Sequence, residues 1–160
     1  MKRLITAILI VGLSPALLSS VGGAELKQYP SKSYDKPLIG YIKDDEIIDM
    51  CGCSFEHKTS SRGYTFTSDV EGKTAWMNID EKDVKLGLTQ TGGSAVHRMG
   101  SRYIQRYQAD EVKVLIVMVV NRICKPYSSE CETTGYDVTI TVDTGRRRQT
   151  VKAKGQCGCV

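Results

Sequence analysis

Four of the six cysteines in this 160-residue chain form two Cys-Gly-Cys pairs, and no other residues in it have clearer chemical potential. Cys51 and Cys53 make the first pair, and Cys157 and Cys159 make the second. Thiols two residues apart point to the same face of an extended strand. Two such strands lying side by side would therefore bring four sulfur atoms together, either as a double rung of disulfides or as a metal site.

Disulfide bonds are the predicted state of these thiols, because an even number of cysteines in an exported chain is typical of structural bridges. Antiparallel pairing would join Cys51 to Cys159 and Cys53 to Cys157. Parallel pairing would join Cys51 to Cys157 and Cys53 to Cys159, and the sequence does not distinguish the two. Either bridge would connect the first strand to the last. Closing a loop of about 100 residues stabilises by about 4–5 kcal/mol in the chain-entropy model.

A metal site built on Cys51, Cys53, Cys157 and Cys159 is the alternative interpretation. Four thiolates can hold zinc, and soft sulfur ligands also suit copper(I). His57, four residues after Cys53, would be a further ligand. Zinc ligands usually have two to four residues between them, whereas one residue intervenes here. The spacing therefore favours disulfides, and we expect neither a resident metal nor a cofactor.

The remaining two cysteines, Cys124 and Cys131, enclose six residues and predict a short disulfide-closed loop. A structural staple at the end of a strand is the simpler interpretation. The functional alternative is a recognition loop, whose closed backbone would lose less entropy on binding. Its contact side chains would be Lys125, Tyr127 and Glu130.

Motifs for catalysis are missing from the sequence. Neither histidine, His57 or His97, lies in a nucleophile or metalloprotease motif, and no glycine-rich loop of the phosphate-binding type occurs. We therefore predict that the protein is not an enzyme.

The first 24 residues have the pattern of a cleavable secretory signal. Lys2 and Arg3 precede an apolar segment, residues 4–18, and Gly22-Gly23-Ala24 supplies the small residues of a cleavage site. The predicted location is periplasmic or extracellular, without a transmembrane anchor after cleavage. Because residues 1–24 contain two cations and no acid, their removal lowers the formal net charge from +4 to +2. So balanced a surface does not indicate nucleic-acid binding.

The strands that must position the cysteines are arranged around Val112–Cys124. Eight bulky apolar residues between Val112 and Val120, mostly β-branched, make this run a strand that we expect to be buried on both faces. From Gly63 onward, apolar and polar residues alternate between short turns, as in antiparallel sheets. We predict an all-β domain over residues 46–160, a sandwich or small barrel of about eight strands. Residues 25–45 are expected to form an extended arm or loop.

One short run resembles a known family. Gly100-Ser101-Arg102-Tyr103, followed by further strands, is similar to part of the small periplasmic barrels that inhibit lysozyme. Those proteins carry a Ser-Gly-x-x-Tyr motif, from which this chain departs, and the likeness covers only these residues. The resemblance implies an inhibitor-type barrel as one alternative function. The residues themselves predict a secreted or periplasmic, disulfide-stabilised, non-catalytic domain that binds a protein or a cell-envelope component.

Overall fold

The computed structural model describes residues 36–48, 51–59, 62–124 and 133–159. Eight antiparallel strands form a closed barrel, in which each strand pairs with the next along the chain and the last pairs with the first. The prediction of an all-β fold with about eight strands is confirmed, and the barrel is the form it takes. In chain order the strands are β1 (Cys51–His57), β2 (Tyr64–Ser68), β3 (Thr74–Ile79), β4 (Lys82–Gly93), β5 (Arg102–Ala109), β6 (Val112–Arg122), β7 (Thr133–Asp143) and β8 (Arg148–Cys159).

A short helical turn precedes the first strand. Residues 45–47 form one turn of 3-10 helix, capped by Asp44, whose side chain accepts a hydrogen bond from the backbone N–H of Glu46. Acidic residues at the start of a turn are favoured because they satisfy its free N–H groups. Within the described residues, no helix is long and apolar enough to cross a bilayer.

The barrel interior is filled by the inward-facing side chains of all eight strands. On β6, alternate residues from Val114 to Val120 are buried. Phe66 stacks on Phe55 with ring centroids 5.1 Å apart and meets the ring of Tyr107 edge-on at 5.6 Å. The Tyr107 hydroxyl donates to the backbone carbonyl of Gly72 at 2.9 Å, and burial raises the pKa of that phenol. An eight-stranded barrel is just wide enough for such a core.

The outer face of β6 corrects one expectation. The sequence predicted burial on both faces, but Leu115 and Val117 are only half-buried and Val119 is 36% exposed. A closed barrel has a single interior, so the outer face of a strand contacts solvent unless another element covers it. The apolar run therefore supplies part of the core and part of the outer wall.

The two ends of the barrel contain different elements. One end, here called the disulfide end, contains the start of β1, the end of β8 and the connections that follow β2, β4 and β6. The other, here called the closed end, contains the turns that follow β1, β3, β5 and β7. Because all neighbouring strands are antiparallel, connections alternate between the two ends along the chain.

The segment before β1, residues 36–48, packs against the closed end. Leu38 and Ile39 are buried, and Ile39 forms an isolated bridge with Ile79 at the end of β3. The backbone N–H groups of Leu38 and Ile39 both donate to the side-chain oxygen of Gln149, at 2.6 and 3.0 Å. These residues therefore have a fixed place on the barrel, made by apolar burial and by hydrogen bonds to β8.

Candidate functional site at the disulfide end

A covalent bond joins the first and last strands of the barrel. β1 and β8 are antiparallel, with Cys53 opposite Cys157 and Cys51 opposite Cys159. The sulfur atoms of Cys53 and Cys157 are 2.01 Å apart and link residues separated by 104 positions. Of the two connectivities that the sequence left open, the structure thus has the antiparallel one.

The other predicted bridges are described in part. Cys51 and Cys124 are both disulfide-bonded, and the described residues include no free cysteine. The side chain of Cys159 and the whole of Cys131 lie outside the described part of the chain. The predicted recognition residues Lys125, Tyr127 and Glu130 also lie outside it, so the Cys124–Cys131 loop and the Cys51–Cys159 bridge stay predictions.

The same disulfide bears on the metal hypothesis. Neither Cys53 nor Cys157 is a thiolate while the two are bonded, so the four-thiolate set of the alternative interpretation does not exist in this oxidised form. His57 lies four residues further along β1, about 13 Å away at strand spacing. Its ring Nδ1 instead lies 2.8 Å from the Thr59 hydroxyl. The described residues contain no group of three potential ligands placed to hold a metal ion.

The loop between β4 and β5, residues 94–101, is a feature that sequence reasoning missed. We name it the contact loop. Its tip carries two large apolar side chains in solvent, Val96 at 64% and Met99 at 59% exposure. Ser101, only 5% exposed, holds the loop from below: its hydroxyl donates to the Val96 carbonyl at 2.6 Å and accepts from the Arg98 N–H at 3.0 Å. The apolar tip is thus presented on a fixed backbone.

The base of the contact loop is fixed to both neighbouring strands. Ser94 and Arg102 close the β4–β5 hairpin, since the Ser94 N–H donates to the Arg102 carbonyl and the Ser94 hydroxyl accepts from the Arg102 N–H. The Gly100 N–H donates to the Val120 carbonyl, and the Val120 N–H donates to the Ser101 carbonyl, both at 2.9 Å. The end of the contact loop is therefore held to β6 by backbone hydrogen bonds.

An aromatic pair connects the contact loop to β7. His97 hydrogen-bonds to the Tyr103 hydroxyl through Nδ1 at 2.9 Å and contacts the Thr134 hydroxyl through Nε2 at 3.4 Å. The Tyr103 ring meets the Tyr136 ring edge-on at 6.5 Å. Burial raises the pKa of Tyr136, and the neighbouring Tyr103 adds to that effect. Among the described residues no carboxylate orients His97, so this arrangement fixes a loop rather than preparing a base.

A second polar cluster lies where β6 and β7 leave the barrel. One nitrogen of Arg122, Nη2, donates to the Thr133 hydroxyl and to the Gln156 side-chain oxygen, both at 3.0 Å. The Thr133 hydroxyl donates to the same Gln156 oxygen at 2.9 Å. Cys124 follows β6 and Thr133 begins β7, so both lie at the same end of the barrel as the contact loop.

Comparison with protein-family models, with curated proteins and with solved structures gives no match to this chain. The run Gly100-Ser101-Arg102-Tyr103, on which the resemblance to lysozyme inhibitors was based, spans the end of the contact loop and the start of β5. Its serine hydroxyl is buried and engaged inside the loop. Any contact that this loop makes must come from other side chains.

Proposed function

We propose that the protein is a secreted or periplasmic, non-catalytic binding domain whose disulfide end contacts a protein partner. The observation that supports this is the pair of exposed apolar side chains, Val96 and Met99, on a loop with a fixed backbone. Solvent-exposed apolar groups clustered in one place are typical of interaction sites. A preorganised loop loses little entropy on binding, and methionine adapts to an irregular partner surface.

The distribution of exposed apolar residues supports the same end of the barrel. In the described part of the chain, the large hydrophobic side chains that are most exposed are those of Val70, Val96, Met99 and Val119. The first three lie on connections at the disulfide end, and Val119 lies near the end of β6 that leads there. The proposed contact surface is therefore the disulfide end, with the contact loop at its centre.

The filled interior favours recognition on the surface over carriage of a ligand inside the barrel. The side chains of Phe55, Phe66, Met77, Ile116 and Ile140 have no exposed area. Small barrels that hold a ligand need an interior that side chains leave open.

Charge suggests what kind of protein would bind. Residues 84–109 contain no aspartate or glutamate, whereas Lys85, Arg98, Arg102 and Arg106 are all exposed there. Complementary charge steers association and excludes wrong partners. The expected partner has an apolar depression for Val96 and Met99, surrounded by carboxylates.

The test compares a double variant of the loop tip with a variant of the outer wall. Mature protein, residues 25–160, would be immobilised and exposed to the exported proteins of its source. We expect Val96→Ser with Met99→Ser to raise the Kd of a saturably captured protein at least tenfold, because apolar anchors dominate interface energies. Val117→Ser, which changes a half-buried valine away from the loop, is the matched control.

The loop-tip variant should unfold at the wild-type temperature, since exposed substitutions rarely change stability by more than about 0.5 kcal/mol. Val117→Ser changes a half-buried side chain, so its unfolding temperature is measured to establish that the barrel is folded before binding is compared. A captured protein that binds the double variant as tightly as it binds wild type would refute the contact loop as the binding surface. Loss of binding in Val117→Ser alone would move the proposed surface to the barrel wall.

The inhibitor-type alternative uses the same surface, since the run that carries the resemblance forms part of the contact loop. It is tested by measuring hydrolysis of bacterial cell walls by lysozyme with and without the mature protein. Inhibition that disappears in Val96→Ser with Met99→Ser would establish this alternative. Full lysozyme activity at saturating protein would exclude it.

The metal alternative is tested on the same exported protein by alkylation before reduction and by native mass spectrometry. Three disulfides leave none of the six thiols to alkylate and lower the mass by six hydrogens. Four alkylated thiols with bound zinc or copper would instead make the Cys-Gly-Cys pairs the functional site.

A further inference from the structure

A polar groove crosses the outer wall of the barrel, on strands β2, β1, β8, β7 and β6. Its volume is about 470 Å³, within the range of about 300–1,000 Å³ that is typical of small-molecule sites. The groove is separate from the Val96–Met99 tip. Its polar side chains include those of Glu56, Tyr64, Asn121, Arg122, Lys154 and Gln156.

The register of the strands places three of these side chains next to one another. Glu56 on β1 is opposite Lys154 on β8 and opposite Tyr64 on β2. In a regular antiparallel pair, such as Glu56 and Lys154, the Cβ atoms are about 4.5–5.5 Å apart. The pairing of Glu56 with Tyr64 follows a register shift between Phe55 and Glu56. Within the described structure, Glu56, Tyr64 and Lys154 form no side-chain hydrogen bond or ion pair, and neither does Asn121. A carboxylate, an ammonium group, an amide and a phenol are therefore all available around one depression.

The opposite wall of the groove is preorganised. The Arg122 guanidinium is fixed through Nη2 by Thr133 and Gln156, which leaves its other N–H donors for a ligand. Gly135 makes this arrangement possible. A Cβ atom there would lie 2.7 Å from Asn121 Oδ1 and 3.0 Å from Arg122 Cβ, so any side chain would displace both residues.

The mixture of groups selects the chemistry of the ligand. Glu56 only accepts hydrogen bonds, Lys154 and Arg122 only donate them, and Asn121 does both. An anion would meet the Glu56 carboxylate, and a cation would meet Lys154 and Arg122. A neutral hydroxyl group can donate to the carboxylate and accept from the ammonium group. A ligand ring with two neighbouring hydroxyl groups can therefore hydrogen-bond to Glu56 through one and to Lys154 through the other. The amphipathic ring of Tyr64 can cover the apolar part of that ligand.

We propose that this groove is a binding site for a neutral carbohydrate, with Glu56 and Lys154 sharing neighbouring hydroxyls and Arg122 and Asn121 contacting the other side. The groove and the contact loop use different side chains, although Arg122 lies at the same end of the barrel as the loop. One site can therefore fail experimentally without the other.

The test is a titration of the mature chain with an array of neutral oligosaccharides, including cellotriose and chitotriose, followed by calorimetry or NMR. A sulfated disaccharide is the charged comparison. We expect saturable binding of at least one neutral sugar, weakened about tenfold or more in Glu56→Ala, since bonds to a charged group contribute most. Glu111→Ala, an exposed carboxylate at the closed end, is the matched control and should bind as wild type does.

Two further variants and three contrary results decide the proposal. Gly135→Ala should also weaken sugar binding, because the added methyl group displaces Asn121 and Arg122. The unfolding temperature of this variant shows whether the barrel is intact. Val96→Ser with Met99→Ser should leave sugar binding unchanged. Binding of the sulfated disaccharide alone, no binding across the neutral array, or equal binding in wild type and a folded Glu56→Ala protein would each overturn the proposal.

Discussion

The two ends of the barrel are held in different ways. At the disulfide end, the Cys53–Cys157 bond joins the first and last strands, and Ser101 fixes the contact loop by hydrogen bonds to its own backbone. At the closed end, the attachment of residues 36–48 in the described structure is noncovalent. Leu38 is buried there, and Gln149 accepts two backbone hydrogen bonds from the segment.

This difference separates stability from recognition. Apolar side chains at the closed end are buried and contribute to folding, whereas Val96 and Met99 remain in solvent. A loop that is already held by its own hydrogen bonds and by β6 does not need to bury its tip in order to be ordered. We therefore expect substitutions at the closed end to change the free energy of unfolding, and substitutions at the loop tip to change binding alone.

The largest predicted effect is the loss of the Cys53–Cys157 bond together with the predicted Cys51–Cys159 bridge. Replacing Cys51, Cys53, Cys157 and Cys159 together by alanine should lower the free energy of unfolding by about 4–5 kcal/mol, because the unfolded chain regains the entropy of a loop of about 100 residues. Urea unfolding followed by circular dichroism measures the change.

The smaller variant, with only Cys53 and Cys157 replaced, should lose much less. The predicted Cys51–Cys159 bridge closes nearly the same loop, so one rung provides most of the constraint. A loss of less than about 1 kcal/mol in the four-alanine protein would show that the disulfide end does not depend on its bonds. Equal large losses in both variants would argue against the second bridge.

An intermediate effect is expected at the closed end. Leu38→Ala removes a side chain that is 2% exposed, and substitutions of this kind in a core typically cost about 2–5 kcal/mol. We expect a loss of stability near the lower limit. Leu38 lies at the end of the barrel, where neighbouring side chains can move into the space that the substitution leaves. Differential scanning calorimetry of this variant beside Lys36→Ala, an exposed neighbour, measures it. Equal unfolding temperatures in the two variants would mean that burial of the Leu38 side chain does not contribute to folding.

Part of this architecture could be predicted from local pattern alone. Side chains two residues apart in a strand share a face, so the two Cys-Gly-Cys pairs predict four thiols on one face. The Cys53–Cys157 bond follows once β1 and β8 are antiparallel. The direction of that pairing could not be predicted, because it depends on how many strands separate the two ends of the sheet. Eight antiparallel strands make the first and last antiparallel as well.

The contact loop could not be predicted, for a different physical reason. The composition of Thr91-Gly92-Gly93-Ser94 is typical of a flexible break, but β4 continues through Gly93. A Cβ atom on Gly93 would lie 2.3 Å from the Arg102 carbonyl oxygen, so the glycine permits close strand pairing rather than a break. The bonds made by Ser101 leave no periodic pattern in the sequence. The outer face of β6 was misjudged because an apolar run does not reveal whether a strand has one buried face or two.

The smallest predicted effect concerns one carboxylate at the closed end, Asp83. It accepts hydrogen bonds from the Asn78 side chain at 2.6 Å and from the backbone N–H groups of Lys43 and Asp44 at 2.9 and 3.0 Å. Burial by itself raises the pKa of Asp83, but these bonds to the ionised form outweigh it and hold the pKa below its ordinary value of 3.8. The bonds to Lys43 and Asp44 attach the segment before β1 to β4.

A lowered pKa fixes the sign of the pH dependence. The contribution of Asp83 to stability is complete above the pKa of the unfolded chain and is lost as the pH falls below 3.8 through the folded value. Between pH 5 and pH 2, NMR should show the amide signals of Lys43 and Asp44 shifting together, with a midpoint below 3.8. Asp83→Asn should abolish that shift and lower the hydrogen-exchange protection of both amides by about tenfold at neutral pH, which corresponds to about 1.4 kcal/mol. Unchanged protection in Asp83→Asn would mean that apolar burial alone holds the segment, and the closed end would then depend on Leu38 and its apolar neighbours.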